Sequence, residues 1–269
     1  MKGNQRCQKI LADGQTLLEV VGGRLRSVFL PMVQTIGNHF LSQARKLENF
    51  VAPNLRSVGC NFLFENKGIK NLSLPKLKTV GDDFLALNQK LESLEAPTLR
   101  YVGENFLLSN RALKSLSLPS LCFASSSFLE ENEILEHLYL PNISEVGERF
   151  LMSNEALTSL RFPKLTHAGE CFLFNNGILS DFQAEELTIV GDSFLASNSK
   201  IKYIYLPKLA YLGSAFFCAN SVFEAYLPCL KNEFLEENVT NAIIRFSHHK
   251  NNEPQSQNNS GLINQKQRD

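Results

Sequence analysis

The chain has 269 residues, of which 43% are hydrophobic and 20% charged. That is enough apolar material for a buried core, and too much for a globally disordered chain. Lys+Arg and Asp+Glu both number 27, so the formal net charge is zero. The basic excess that phosphate neutralisation calls for is missing, and neither nucleic acid nor an anionic membrane surface is an expected partner.

From Met1 to Leu30 there is no apolar run of the about 7–15 residues that a signal peptide needs. No stretch approaches the ~20 apolar residues of a membrane span. The expectation is a soluble protein without membrane insertion, cytoplasmic or exported without a cleaved signal peptide. Six cysteines, at Cys7, Cys60, Cys122, Cys171, Cys218 and Cys229, show no C-x-x-C spacing, so free thiols are expected and no metal site is.

The prolines expose a period. Pro31, Pro53, Pro75, Pro97, Pro119, Pro141, Pro163 and Pro207 are spaced by 22 residues or a multiple of it, and Glu185 occupies the one vacant place in the frame. With proline at position 1, the unit reads P-x-L-x-x-V-G-x-x-F-L-x-x-N-x-x-L-x-x-L-x-L. Nine coils follow, starting at residues 31, 53, 75, 97, 119, 141, 163, 185 and 207. Position 10 is Phe in all nine, from Phe40 to Phe216. Position 7 is Gly in eight, with Ser125 in coil five, and position 14 is Asn in eight, from Asn66 to Asn220. Residues 17–30 match only the second half of a unit. Pro228 to Phe246 keeps F-L-x-x-N at Phe234, Leu235 and Asn238 but has lost three residues before the Phe. Both ends are expected to be caps. The division is a lead-in at 1–16, about ten 22-residue coils at 17–246, and a disordered polar tail at 247–269.

Within each unit the L-x-L-P tract alternates with period two, which is strand-like. Positions 20 and 22 should face one side and positions 19 and 21 the other. Stacked coils would then form a parallel sheet, and ten of them a rod or arc about 45–50 Å long. Phe, Leu and Asn at positions 10, 11 and 14 suit one helical turn. Asp82, Glu104, Glu148, Glu170 and Asp192 at position 8 would face the free N–H groups of that turn. The Gly column is expected to allow a positive φ or a close backbone approach. The Asn column is expected to bond backbone groups of its own or the next coil.

The best copy of the unit, Leu91 to Asn110, reads LESLEAPTLRYVGENFLLSN. It resembles the BspA-like, or Treponema-type, leucine-rich repeats, L-x-x-I-x-I-P-x-x-V-x-x-I-G-x-x-A-F-x-x-C, over about Leu17 to Phe246. It departs from them in being one residue shorter between Pro and Val and in holding Asn at the usual Cys position. The resemblance implies a repeat solenoid, mainly β. The expected form is a leucine-rich-repeat right-handed superhelix with a parallel sheet on one face and short helical turns or loops on the other. Members of the family are typically bacterial or protist proteins that bind other proteins, often at a cell or host surface. The implied role is a non-catalytic scaffold, monomeric, that presents the exposed sheet face to a protein partner. The alternative is a secreted effector or surface protein that engages a host protein.

Positions 19 and 21 change character along the chain. Asn71, Ser73, Ser93, Glu95, Ser115 and Ser117 give way to His137, Tyr139, Ser159, Arg161, Asp181, Gln183, Tyr203 and Tyr205. Tyr and Arg are enriched at interface hot spots. His137, Tyr139, Arg161, Tyr203 and Tyr205 are therefore the candidate partner-binding residues. Tyr101, Phe123, His167, Ile189 and Tyr211 at position 5 are expected to be partly buried in the core. No catalytic motif, cofactor site or metal cluster is evident. His167 and Cys171 lie four residues apart without a third group, and the remaining histidines are His39, His137, His248 and His249.

Overall fold

Each coil turns through two short strands and one bonded turn. A computed structural model describes residues 9–11, 25–220, 223–230 and 244–246. The tail, the F-L-x-x-N segment of the last unit, Cys7 and most of the lead-in lie outside the described residues. Positions 19–21 form one strand per coil, as in Ser115–Ser117, and positions 5–6 form a second, as in Tyr101–Val102. All strand pairs are parallel and in register at a 22-residue offset through coils one to eight, for example Ser115↔His137 and Tyr101↔Phe123. Strand Lys9–Leu11 pairs with Ser27–Phe29, and Ile244–Phe246 with Phe223–Tyr226, so the ladder extends past both ends of the regular frame.

The interior follows from the apolar columns. Position 20 is buried where positions 19 and 21 are exposed, as in the Asn71–Ser73 and Ser93–Glu95 strands. Position 10 stacks ring on ring. Centroids from Phe40 to Phe216 lie 4.9–6.2 Å apart with interplanar angles of 4–17°. These rings are fully buried and run as one column down the axis.

The helical turn expected at positions 10–14 is absent, and the described residues contain no helix. Positions 9, 11 and 13 have φ of +51° to +61° in every coil from 39 to 219, in 27 non-glycine residues, while positions 10 and 12 do not. The bonds also run between coils. In coil four, Asn105 N–H donates to Ser126 O of the next coil (3.0 Å), Leu107 N–H to Phe84 O of the previous one (3.0 Å), and Ser109 N–H to Glu130 O of the next (2.9 Å). An isolated helical turn would gain one internal bond for three fixed residues. The alternating backbone instead points every other N–H along the axis, where a neighbouring coil supplies a carbonyl.

Left-handed backbone costs an L-residue with a Cβ roughly 1–2 kcal/mol, most for β-branched side chains. None of the 27 residues is Val, Ile or Thr. The Gly column serves a different purpose. From Gly59 to Gly213 its residues are not left-handed; a Cβ on Gly103 would lie 2.7 Å from Asp82 N and Gly81 C. Ser125 takes the same place in coil five with a slightly longer ladder bond. Its N–H to Val102 O distance is 3.2 Å, against 2.9–3.1 Å for the glycines from Gly59 on.

Asn at position 14 completes the turn. Asn176 Nδ2 donates to Leu151 O of the previous coil (3.0 Å) and Phe174 O of its own (3.3 Å), while its Oδ1 accepts Asn154 N–H (3.1 Å). Asn110 Nδ2 repeats the first two bonds, to Leu85 O and Leu108 O, but its buried Oδ1 has no partner; Asn88 and Asn154 share that condition.

The two strand columns differ in continuity. The position 5–6 sheet runs unbroken through eight strands, from Thr35–Ile36 to Ile189–Val190, and a bridge carries it to Tyr211. The position 19–21 column is not hydrogen-bonded between coils one and two, three and four, or five and six. Charges at position 18 follow the same grouping. Arg26 pairs with Glu48 (2.6 Å) and Lys70 with Glu92 (3.0 Å), each within a closed pair of strands.

Two predictions follow from this backbone. Ser127→Val, which puts a β-branched residue at φ +57°, should destabilise the chain by about 1–3 kcal/mol, whereas Ser127→Gly should be neutral within about 1 kcal/mol; denaturant melts compare the two. Asn176→Leu removes the partners of Leu151 O and Asn154 N–H, while Phe174 O keeps Ser153 N–H, and should cost about 1–3 kcal/mol per group left unpaired. Asn110→Leu should cost measurably less by the same assay, because it also removes an oxygen that is already unpaired.

Candidate interaction surface

The strand column at positions 19 and 21 carries the candidate residues on its outer face, because alternate strand residues face opposite ways. Cross-strand register sorts them into two groups. Ser115↔His137 and Ser117↔Tyr139 belong to the closed pair of coils four and five. Ser159↔Asp181↔Tyr203 and Arg161↔Gln183↔Tyr205 belong to the sheet that begins at coil six. The opening between coils five and six separates the groups.

His137 and Tyr139 are exposed, Tyr139 at 59%. Both line a cleft of about 450 Å³ that Ser115, Ser117, Glu136, Thr158 and Ser159 also border. The cleft exists because the ladder stops here. Where other pairs bond, Thr158 and Ser159 N–H do not reach Glu136 O, and Leu140 N–H does not reach Arg161 O.

Arg161 is exposed but engaged. Its Nε donates to Glu185 Oε1 at 2.7 Å. Glu185 is the residue that interrupts the proline column, so the break in the repeat supplies the partner of the arginine. Tyr203 and Tyr205 are half-buried. Tyr205 stacks on Tyr226 with centroids 5.3 Å apart and planes 10° apart. Tyr226 escapes the sequence frame because it follows Tyr205 by 21 residues, the unit having lost one residue before it, as the early Pro228 also shows. The structure thus brings His137 and Tyr139 together beside a cleft, and commits Arg161 and Tyr205 to neighbours within the solenoid.

Position 5 corrects an expectation. Tyr101, Phe123, His167, Ile189 and Tyr211 are exposed, not partly buried in the core; position 6 supplies the buried residue of each short strand. The period-two rule read from Val at position 6 would have put position 5 outside.

At position 8, Asp82 Oδ1 accepts Glu104 N–H (2.9 Å) and Asp192 Oδ1 accepts Ser214 N–H (2.7 Å). These acids do bond free N–H groups, though of the next coil and not of a helix. Cys60, Cys122, Cys171, Cys218 and Cys229 are not joined in disulfides. Burial pushes the Cys171 thiol up from its ordinary value; Arg149 opposes this, and Glu170, Glu148 and Glu130 reinforce it. A thiol held protonated is a poor nucleophile. His167 Nδ1 lies 2.9 Å from Thr166 Oγ1, its own neighbour in sequence. Among the described residues no group of three or more His, Cys, Asp or Glu could hold a metal ion. Among them, too, no helix is long and apolar enough to cross a membrane.

Parallel coils with buried Leu, Phe and Asn columns define a leucine-rich-repeat solenoid. The chain belongs to the BspA type leucine rich repeat region family, whose model matches residues 23–134 and 123–241 in six copies. No curated protein matches the chain. Among solved structures it is similar to a leucine-rich repeat protein from Bacteroides ovatus ATCC 8483, at 13% identity and TM-score 0.43, over 86% of this chain and 88% of that one. It is also similar to a leucine rich cell surface protein from Faecalibacterium prausnitzii A2-165, at 14% identity and TM-score 0.35, over 90% and 84%. A third similar structure is the pneumococcal vaccine antigen PcpA, at 14% identity and TM-score 0.32, over 83% and 68%.

Proposed function

We propose that this repeat scaffold is non-catalytic and binds a partner protein through the outer face of the position 19–21 strands, centred on His137 and Tyr139. The observation that carries the proposal is the opening between coils five and six, where an exposed tyrosine and histidine border a cleft whose strand edges lack their usual backbone partners. A partner segment entering there gains backbone donors and acceptors as well as side-chain contacts, which is how extended peptides add to sheet edges. Tyrosine offers large amphipathic area at low entropy cost. Arg161, Tyr203 and Tyr205 extend the face toward the C-terminal coils.

His137→Ser combined with Tyr139→Ser should abolish capture of the partner by the immobilised full chain. The denaturation midpoint should hold, since exposed substitutions typically cost under about 0.5 kcal/mol each. Tyr205→Ser should instead lower stability by about 0.5–1.5 kcal/mol through loss of the Tyr226 stack. Full capture by the double variant would put the binding face elsewhere.

A further inference from the structure

A second surface lies on the other strand column. Position 5 of coils four to nine reads Tyr101, Phe123, Glu145, His167, Ile189 and Tyr211, held in one register by the unbroken sheet. Tyr101 is 53% exposed, Phe123 38%, Ile189 41% and Tyr211 60%. Two apolar pairs thus flank a polar centre along five ladder steps, about 24 Å at ~4.8 Å per step.

Stacking does not require these side chains. Coils one to three carry Thr35, Ser57 and Thr79 at the same position and pair in the same register. The Tyr101 and Phe123 rings, adjacent across the ladder, make no ring contact with one another. Large apolar groups left in water along one line, where small polar ones serve the fold, mark an interaction surface.

The charge beside the stripe turns acidic after coil four, where position 4 still holds the exposed Arg100 next to Tyr101. From coil five on, position 4 is neutral, with Cys122, Ser144, Thr166, Thr188 and Ala210, while Glu145, Glu148, Glu170 and Asp192 stand at positions 5 and 8. Arg149 at position 9 is the opposing cation. Position 8 follows position 5 by three residues, within about 10 Å along the coil. Glu148 and Glu170 are exposed and form no ion pair.

We propose that the position 5 stripe docks a cationic, apolar segment of a partner protein. Its apolar side chains seat on Tyr101–Phe123 and on Ile189–Tyr211, and its Lys or Arg groups meet the carboxylates of Glu145, Glu148 and Glu170 and the tyrosine faces. The surface is distinct from the His137–Tyr139 cleft, and the two are tested by separate variants.

The probe is a fluorescent peptide of about 15 residues alternating Lys and Leu, long enough to span the stripe. Anisotropy is measured on the full chain, with a Glu–Leu peptide as the anionic counterpart. The Lys–Leu peptide should bind at least about tenfold more tightly than its counterpart, and more weakly as salt rises. Tyr101→Ser, Phe123→Ser, Ile189→Ser and Tyr211→Ser together should weaken it about tenfold or more. Glu148→Gln with Glu170→Gln should weaken it severalfold and flatten its salt dependence, and His137→Ser with Tyr139→Ser should leave it unchanged. Circular dichroism verifies folding. If the quadruple variant fails to fold, the Tyr101/Phe123 and Ile189/Tyr211 pairs are tested separately beside the carboxamide pair. Equal affinity for the Glu–Leu peptide, or undiminished binding by the stripe variants, overturns the proposal. So does a dimer in sedimentation velocity that the stripe variants abolish, since the occupant is then a second copy of this chain.

Discussion

A coil of this chain cannot satisfy its own backbone. Its strands are two to four residues long, and the described residues contain no helix, so nearly every buried N–H and C=O must find a partner in the coil above or below. Buried polar groups left unpaired cost about 1–3 kcal/mol each, which makes axial pairing the condition on which the rest depends. At positions 9–13 that condition is met by strain. Three left-handed residues per coil turn alternate amides toward opposite neighbours, and Asn at position 14 caps carbonyls that the turn leaves over. Phe at position 10 sits between two strained residues and locks them with a stack of rings.

The same condition fixes where the surface can vary. The Phe column of the ring stack holds one residue type for nine coils, and the Gly and Asn columns hold theirs in eight of nine. Columns that point outward, at positions 5, 19 and 21, are free of it and change from coil to coil. Where the ladder opens, between coils five and six, the unpaired strand edges lie beside His137 and Tyr139, and the buried Oδ1 of Asn154 in coil six also lacks its partner. The unpaired oxygen of Asn110 in coil four accompanies the opening between coils three and four in the same way. Splitting of the strand column and loss of the Asn-to-Asn bond coincide as a local departure from perfect stacking at these two steps, although Asn88 lacks its partner where coils two and three stay paired. The position 5–6 sheet does not share it, so the solenoid keeps one continuous seam.

The repeat period, the strand at positions 19–21 and the inward Leu, Phe and Asn columns were legible in the sequence because each recurs at a fixed offset. The second strand was not read, since two residues give too short a pattern for period two to register, and the aromatic residues at position 5 were taken for core. The turn was misread as helical because Phe, Leu and Asn have helix-like spacing. The contrary signal was the lack of Val, Ile and Thr at positions 9, 11 and 13, a steric signature of positive φ. Within the candidate face, Arg161 and Tyr205 read as free recognition groups. Their partners, Glu185 and Tyr226, sit at the frame's two irregularities, a missing proline and a lost residue, where a repeat consensus gives no register.

Residue-resolved amide hydrogen exchange tests the axial-pairing account most directly. The N–H groups of Leu107, Leu129 and Leu151 each donate to the Phe carbonyl of the preceding coil, at 2.9–3.0 Å. They should exchange as slowly as the strand amides of the position 5–6 sheet, at rates set by global unfolding. Exchange of these amides at the rate of an exposed loop, with the strands still protected, would mean that the left-handed turns do not bind coil to coil, and would contradict the account.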